Sequence, residues 1–300
     1  MNSWKTRKVL LACILLLFTC TFAFGAALAE EKAADQTPPA QAAPAPPEAP
    51  KPSLSLSTDV LNQYIFRGAA QTLSHGVIQP SVTASYNGFS LNYWGNVDMG
   101  RGSTNLTTMP LPPGQSGRLR YTETDFTASY TKELFKNFSV LIGNVYYDLQ
   151  VPVSGFNQDE IFGGVSYNFP WVTVAFTAYG EVTHFADVWL QLDITKSIPV
   201  DCILKGATVD LGASFGYLTL MHTDNTLNLA GTKTGNFSGF DTCQLTADIK
   251  FPLNDYITIT PKVGYWLPLT SAAEDLLQAT SMDGKSCHFV GGLNLNVLFF

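Results

Sequence analysis

The last fourteen residues, Cys287–Phe300, constrain the fold more than any other stretch. Phe289, Gly291, Leu293, Leu295, Val297 and Phe299 fall on one face of a period of two. His288, Gly292, Asn294 and Asn296 fall on the other. That period is a β-strand with one apolar and one polar side. A long apolar strand at a sheet edge presents unpaired N–H and C=O groups and invites aggregation. The hazard disappears if this strand pairs with the first one and closes a barrel.

The rest of the chain supplies the partners. From Ser53 onward it reads as twelve β segments, near 53–67, 76–86, 89–99, 119–131, 137–149, 158–169, 171–184, 186–197, 205–220, 239–251, 255–267 and 285–299. Each is long enough for the roughly 9–11 residues that cross a bilayer. The connections alternate in length. Asn87-Gly88, Leu134–Lys136, Pro170, Ile198–Leu204 and Pro252–Asn254 form a short set, and Asn-Gly is a strong hairpin signal. Segments 68–75, 100–118, 150–157, 221–238 and 268–284 form a longer set; the connection near Phe185 breaks the pattern. The loop around Ala272–Thr280 has room for a turn of helix. Short turns on one side and long loops on the other are the plan of an outer-membrane barrel. The expected fold is therefore all-β, a membrane-spanning antiparallel up-and-down barrel of about twelve strands.

The faces agree with this plan. Phe89, Leu91, Tyr93 and Val97 alternate with Ser90, Asn92, Trp94 and Asp98; Leu245, Ala247, Ile249 and Phe251 alternate with Gln244, Thr246, Asp248 and Lys250. A charge facing lipid at mid-depth costs a few kcal/mol, so the polar faces should line the lumen. Pro80 and Pro261 lie inside strands and predict local bulges; the fifth strand alternates poorly around Asn144. A secreted β-sandwich would share the alternation, but not the loop asymmetry.

Composition narrows the class. Charged residues make up 14% of the chain and apolar ones 46%, as suits apolar residues dispersed at every second position. The net charge of −7 and the lack of a basic patch argue against a nucleic-acid partner. Cys202, Cys243 and Cys287 follow the leader; Cys243 and Cys287, near the outer ends of the tenth and twelfth strands, are expected to lie about 9.5 Å apart, two strand spacings, too far for a disulfide. No cysteine or histidine spacing points to a metal, and no cofactor is implied.

Residues 1–29 read as a signal peptide: Lys5, Arg7 and Lys8, then an apolar run from Val9 to Gly25, then Ala27-Leu28-Ala29 as a cleavage site. Residues 30–52 are a Pro/Ala-rich periplasmic linker, leaving 53–300 as the barrel.

Two stretches resemble known families. The aromatic end of the chain resembles the C-terminal assembly signal of bacterial outer-membrane barrels, with Phe299 in register and Phe300 one residue beyond it. That resemblance implies the barrel-assembly machinery and outer-membrane lipid as partners. At the other end, Ser55-Leu-Ser-Thr58, then Tyr64-Ile65-Phe66-Arg67-Gly68 and Gln71-Thr72, resembles the opening strand of a proteobacterial family of outer-membrane porins. Tyr93-Trp-Gly-Asn-Val-Asp98 is similar to that family's third strand. Here Val60–Gln63 separates Thr58-Asp59 from Tyr64, where the family runs directly from Asp to Tyr, and a bulge is expected there. The resemblance implies an outer-membrane barrel and says little about substrate.

Chemistry is sparse. Gly212-Ala-Ser214-Phe-Gly216 matches a nucleophile pattern, but that pattern needs a sharp strand-to-helix turn and here lies within a strand. His75, His184, His222 and His288 read as hydrophilic rim residues; a lipase or deacylase would need a Ser/His pair facing lipid, and Ser214 and His288 are the pair to test. No catalytic residue is assigned. The expected lumen charges are Asp59, Arg67, Asp98, Glu123, Asp125, Glu160, Glu181, Asp193, Asp210, Asp248, Lys250 and Lys262, with Arg67 at the barrel mouth or constriction. Asp248 and Lys262 are placed to pair across neighbouring strands. Acids dominate, which favours cations in a pore. The expected function is a narrow passive channel for small hydrophilic solutes, against a barrel enzyme or a plugged structural barrel.

Overall fold

The computed structural model describes residues 51–100, 119–149, 157–183, 187–220 and 237–300. The signal peptide, nearly all of the linker, His184 and His222 lie outside the described residues. The strands are β1 (Ser53–Leu61), β2 (Ile65–Phe66), β3 (Ala69–Ala70), β4 (Val77–Tyr86), β5 (Phe89–Asp98), β6 (Arg120–Phe135), β7 (Phe138–Leu149), β8 (Gln158–Asn168), β9 (Thr173–Glu181), β10 (Val188–Pro199), β11 (Thr208–Thr219), β12 (Ser238–Pro252), β13 (Ile257–Pro268) and β14 (His288–Leu298). One helix, α1 (Ser271–Thr280), precedes β14.

All strands but β2 and β3 form one closed antiparallel barrel, twelve in the ring. β1 pairs with β4 on one side and with β14 on the other, Ser57 opposite Ser81 and Asn296 respectively. The terminal strand thus has its partner. Beyond β14 the ladder continues: the Phe299 N–H donates to the Leu54 carbonyl at 2.8 Å, and the Leu54 N–H donates to the Phe300 carbonyl at 3.1 Å. Phe300 is therefore bound through its backbone, while its ring is exposed.

The outer face is apolar. Leu91, Ile142, Ile161 and Phe289 each keep more than half of their surface exposed. Aromatic pairs mark both rims, such as Phe135 stacked on Phe138 at 4.5 Å by the short turns and Tyr217 against Phe240 at 5.4 Å towards the loops.

Three sequence expectations change. The prolines do not make bulges. The β4–β5 ladder skips from Ile78↔Val97 to Ser81↔Trp94, and the β12–β13 ladder from Asp248↔Lys262 to Phe251↔Ile259, each without a register shift. A proline only removes a donor, so the ladder loses rungs and keeps its count. The register shifts instead lie at Asn96/Val97, Glu133/Phe135 and Phe215/Tyr217. Second, β7 turns apolar side chains inward: Val145 and Tyr147 pack with Phe162 inside the barrel, and Asn144 lies on the opposite face, bonded to Asp159 and the Glu160 carbonyl. Third, the first strand does not reach Arg67. It ends at Leu61, and residues 62–76 leave the wall.

Deleting Phe300 removes one rung, worth about 0.5–1.5 kcal/mol, and leaves the rest of the closing ladder intact. The expected outcome is a barrel that still assembles, seen as an unchanged heat-modifiable shift on gels; loss of that shift would show that the terminal carbonyl is essential.

Candidate functional site: an in-folded hairpin at the loop end

The chain leaves β1 at Asn62 without losing a rung. The Asn62 N–H donates to the Gly291 carbonyl at 3.0 Å, while its side chain accepts from the Gly291 N–H at 2.7 Å and donates to the Phe289 carbonyl at 3.0 Å. An asparagine amide carries one donor and one acceptor group, so it substitutes for the missing strand backbone. The return is pinned by the Gly76 N–H, which donates to the Asn62 carbonyl at 3.0 Å.

Between these anchors β2 and β3 form a two-residue hairpin, Phe66 opposite Ala69. Its turn is Arg67-Gly68, with φ of +47° and +86°. Positive φ at both central residues is the type I′ turn that matches strand twist. Gly68 is required twice over: a Cβ there would also overlap the Thr242 Cγ2 atom. Arg67 bears a left-handed cost of roughly 1–2 kcal/mol.

The hairpin crosses the bore. Tyr64 packs on Trp94 of β5 at 5.4 Å and donates its hydroxyl to Glu123 of β6 at 3.3 Å. Phe66 meets Tyr147 of β7 edge-on at 5.8 Å. Arg67 donates both terminal nitrogens to Glu160 of β8, at 2.7 and 2.8 Å. Its guanidinium carbon lies 5.0 Å from the Tyr179 ring of β9 and 5.2 Å from the Trp189 ring of β10. On the far side the Gly68 backbone abuts Thr242 of β12. A segment that touches the wall on so many strands narrows the lumen at that height.

Helix α1 covers the hairpin from the loop side. The Thr270 hydroxyl caps it by accepting from the Ala273 N–H at 3.1 Å. Ala273 and Leu277, four residues apart, bury one face, and Leu277 reaches towards Gly68. The segment after α1 then pairs with β3: the Met282 N–H donates to the Ala70 carbonyl at 2.8 Å, and the Ala70 N–H donates to the Ser281 hydroxyl at 3.1 Å. At the hairpin's base, the Gln63 amide donates to the Thr72 carbonyl at 2.7 Å and to Asp283 at 3.2 Å. Asp283 also faces His288 Nε2 at 3.1 Å. Burial raises the Asp283 pKa, but the bonds from His288, Gln63 and the Lys285 N–H, with the His288 charge, outweigh it, and the net shift is downward.

The stretch Tyr64–Thr72, expected on the opening strand, thus sits on this hairpin and not on a strand of the wall: Tyr64, Phe66, Arg67 and Gly68 make its contacts. Thr72 accepts from the Tyr64 N–H at 3.0 Å, and the Gln71 N–H donates to the Tyr64 carbonyl at 2.9 Å. The insertion Val60–Gln63 is the end of β1 and the exit from the wall, not a bulge.

The other expected lumen charges divide by height. Near the loops, Asp98 accepts from the Gly100 N–H at 2.8 Å and Glu181 from the Thr183 N–H at 2.8 Å. Asp125 lies two residues along β6 from Glu123. Below the hairpin, Asp193 accepts from Gln191 at 2.9 Å and from the Ser214 hydroxyl. Lys262 pairs with Asp59 at 3.2 Å, reaching over Gly292 of β14, and Lys250 pairs with Asp210 at 2.6 Å. Asp248 is the register neighbour of Lys262, but the ion pair goes to Asp59. Towards the short turns a cavity of about 500 Å³ is lined by Thr195, Ser197, Asp210, Asp248, Lys250 and Trp171, among others.

The nucleophile pattern has a structural explanation. Gly216 makes room for Trp189, whose ring a Cβ there would overlap. Ser214, Gln244, Trp266 and His288 are successive register neighbours across β11 to β14. Ser214 and His288 are thus three strand spacings, about 14 Å, apart.

No protein-family model matches this sequence, and no curated protein matches it. Among solved structures the chain is similar to the KdgM porin, at 11% identity and a TM-score of 0.46 over 83% of this chain and 99% of that one. It is similar to the NanC porin at 8% identity, TM-score 0.47, over 83% and 98%. It is also similar to LpxR from Salmonella typhimurium at 9% identity, TM-score 0.46, over 82% and 99%.

Removing one partner of a buried bidentate pair leaves an uncompensated charge at a cost of about 3–5 kcal/mol. Glu160→Gln is expected to speed amide exchange of residues 64–71 by about a hundredfold to a few thousandfold, with the wall ladders unaffected; an unchanged rate would show that the pair does not hold the hairpin. Because the folded Asp283 pKa is lowered, its contribution is present above the ordinary carboxylate value and is lost as pH falls below about 4. Exchange at the hairpin base, Gln63 and Thr72, should accelerate there in the wild type and not in Asp283→Asn.

Proposed function

We propose that this chain is an outer-membrane barrel that acts as a narrow, passive, cation-preferring channel for small hydrophilic solutes, with residues 62–76 as its constriction. The carrying observation is a closed ring, apolar outside and charged inside, that holds a polar cavity below an in-folded hairpin. A closed barrel pairs every interior backbone group, which is the condition for strands to span hydrocarbon. The apolar outer face and its aromatic rims suit a bilayer. Among the described residues, lumen acids outnumber bases: Asp59, Glu123, Asp125, Asp193, Asp210 and Asp248 face few cations beyond Arg67, Lys250 and Lys262. Such a wall carries excess negative potential and favours cations. Membership of the porin family that the opening residues resemble, a cleaved signal peptide and delivery by the barrel-assembly machinery belong to the same proposal.

The hairpin also favours a second reading, a plugged structural or adhesive barrel. Planar-bilayer recordings of refolded protein separate the two. The wild type should conduct weakly, and a variant lacking residues 64–71 should conduct several-fold more, with a reversal potential of cation sign in a KCl gradient. Silence from both proteins would favour the plug, and an anion-sign potential would overturn the selectivity.

A further inference from the structure

Arg67 is an unusual residue for its position. A type I′ turn favours Asn, Asp or Gly at its centre, and the Arg67 backbone takes a strained φ of +47°. The turn gains nothing from a guanidinium, so the reason for arginine lies in what the side chain meets. Glu160 accepts both terminal nitrogens, and the Tyr147 hydroxyl donates to Glu160 Oε2 at 3.0 Å, holding the carboxylate in place. Tyr179 and Trp189 lie 5.0 and 5.2 Å from the guanidinium carbon. Trp189 is held in turn by donating to Gln191 at 3.1 Å and by the space over Gly216. Only Phe66, at 4.8 Å, comes from the hairpin.

We infer that the wall cage of Tyr147, Glu160, Tyr179 and Trp189 is a guanidinium-binding site that Arg67 occupies as an internal ligand, and that guanidinium-bearing solutes occupy it when Arg67 is withdrawn. The cage combines a planar carboxylate fork with aromatic neighbours, the recognition that separates guanidinium from a compact ammonium. Its four residues come from β7, β8, β9 and β10, so it belongs to the barrel wall and not to the hairpin. It lies at the height of the constriction, and in that respect the inference rests on the channel reading: filling it from solution would block or gate flow. Binding itself does not depend on that reading.

The test uses Arg67→Gly, which removes the guanidinium and relieves the strained turn, with methylguanidinium as probe and methylammonium as control. Bilayer current through Arg67→Gly should be blocked by methylguanidinium about tenfold more tightly than by methylammonium, the margin of one charge-assisted hydrogen bond. Adding Glu160→Gln should abolish that preference. In parallel, tryptophan fluorescence of detergent-solubilised Arg67→Gly should respond to methylguanidinium, and the Glu160→Gln double variant should not. Equal effects of the two cations on a conducting Arg67→Gly barrel would overturn the cage and leave the channel standing. A Glu160-dependent fluorescence response without current in any variant would support the cage and remove the channel. Should Arg67→Gly fail the heat-modifiability check, the wild type serves: methylguanidinium, but not methylammonium, should accelerate amide exchange of residues 64–71, and no difference would overturn the inference.

Discussion

Everything in this barrel depends on β1 having two partners. Its N–H and C=O groups are divided between β4 and β14, so the ring has no edge and an apolar outer surface is tolerable. Closure also explains the chain end, where Leu54 exchanges bonds with Phe299 and Phe300 and completes the ladder that begins at Ser53. Because β1 is committed on both sides, a segment that leaves it must satisfy its backbone elsewhere. Asn62 does this with its own side-chain amide, and the hairpin beyond it with Thr72, Ala70 and Met282.

The inside of the ring follows from that departure. A hairpin with Tyr64 and Phe66 brings apolar surface into the lumen, and the wall answers with Val145, Tyr147, Phe162 and Trp189. This is why β7 carries apolar side chains on its inner face as well as its outer one, while Asn144 faces away from the lumen, bonded to its neighbours. Away from the hairpin the lumen is ionic, with Lys262–Asp59 and Lys250–Asp210 as pairs. One tube therefore has two interiors: an aromatic clamp at the loop end and a polar vestibule at the other.

Much of this was legible in the residues. Period-two faces located the strands to within a few positions at most ends, Asn87-Gly88 announced its turn, and the stretch near Ala272–Thr280 became the helix α1. Arg67 stood out as the base next to the first loop, but its seat in the turn of an in-folded hairpin was not foreseen. Its partner was not legible, because Glu160 lies 93 residues away and is one acid among many. The inward aromatics were missed for the same reason, since an apolar residue on a strand reads as outward until something apolar is known to stand inside. The pairing of Lys262 with Asp59 was missed because Gly292, with no side chain, lets Lys262 reach across β14 to β1, away from the register neighbour Asp248 on β12.

The amino-acid order by itself determined the barrel: alternation dictates two faces, and the alternating turn lengths dictate up-and-down connectivity. Only the tertiary structure decided the fate of residues 62–76. Ser53–Arg67 is compatible with one long strand by local preference, and nothing local distinguishes a strand that continues from one that ends at Leu61. The decision belongs to the ring. Within it, the Asn62 amide fits the rung at Gly291, the guanidinium finds its carboxylate and rings across the bore, and Gly68 fits against Thr242. These contacts join parts of the chain that only closure brings together.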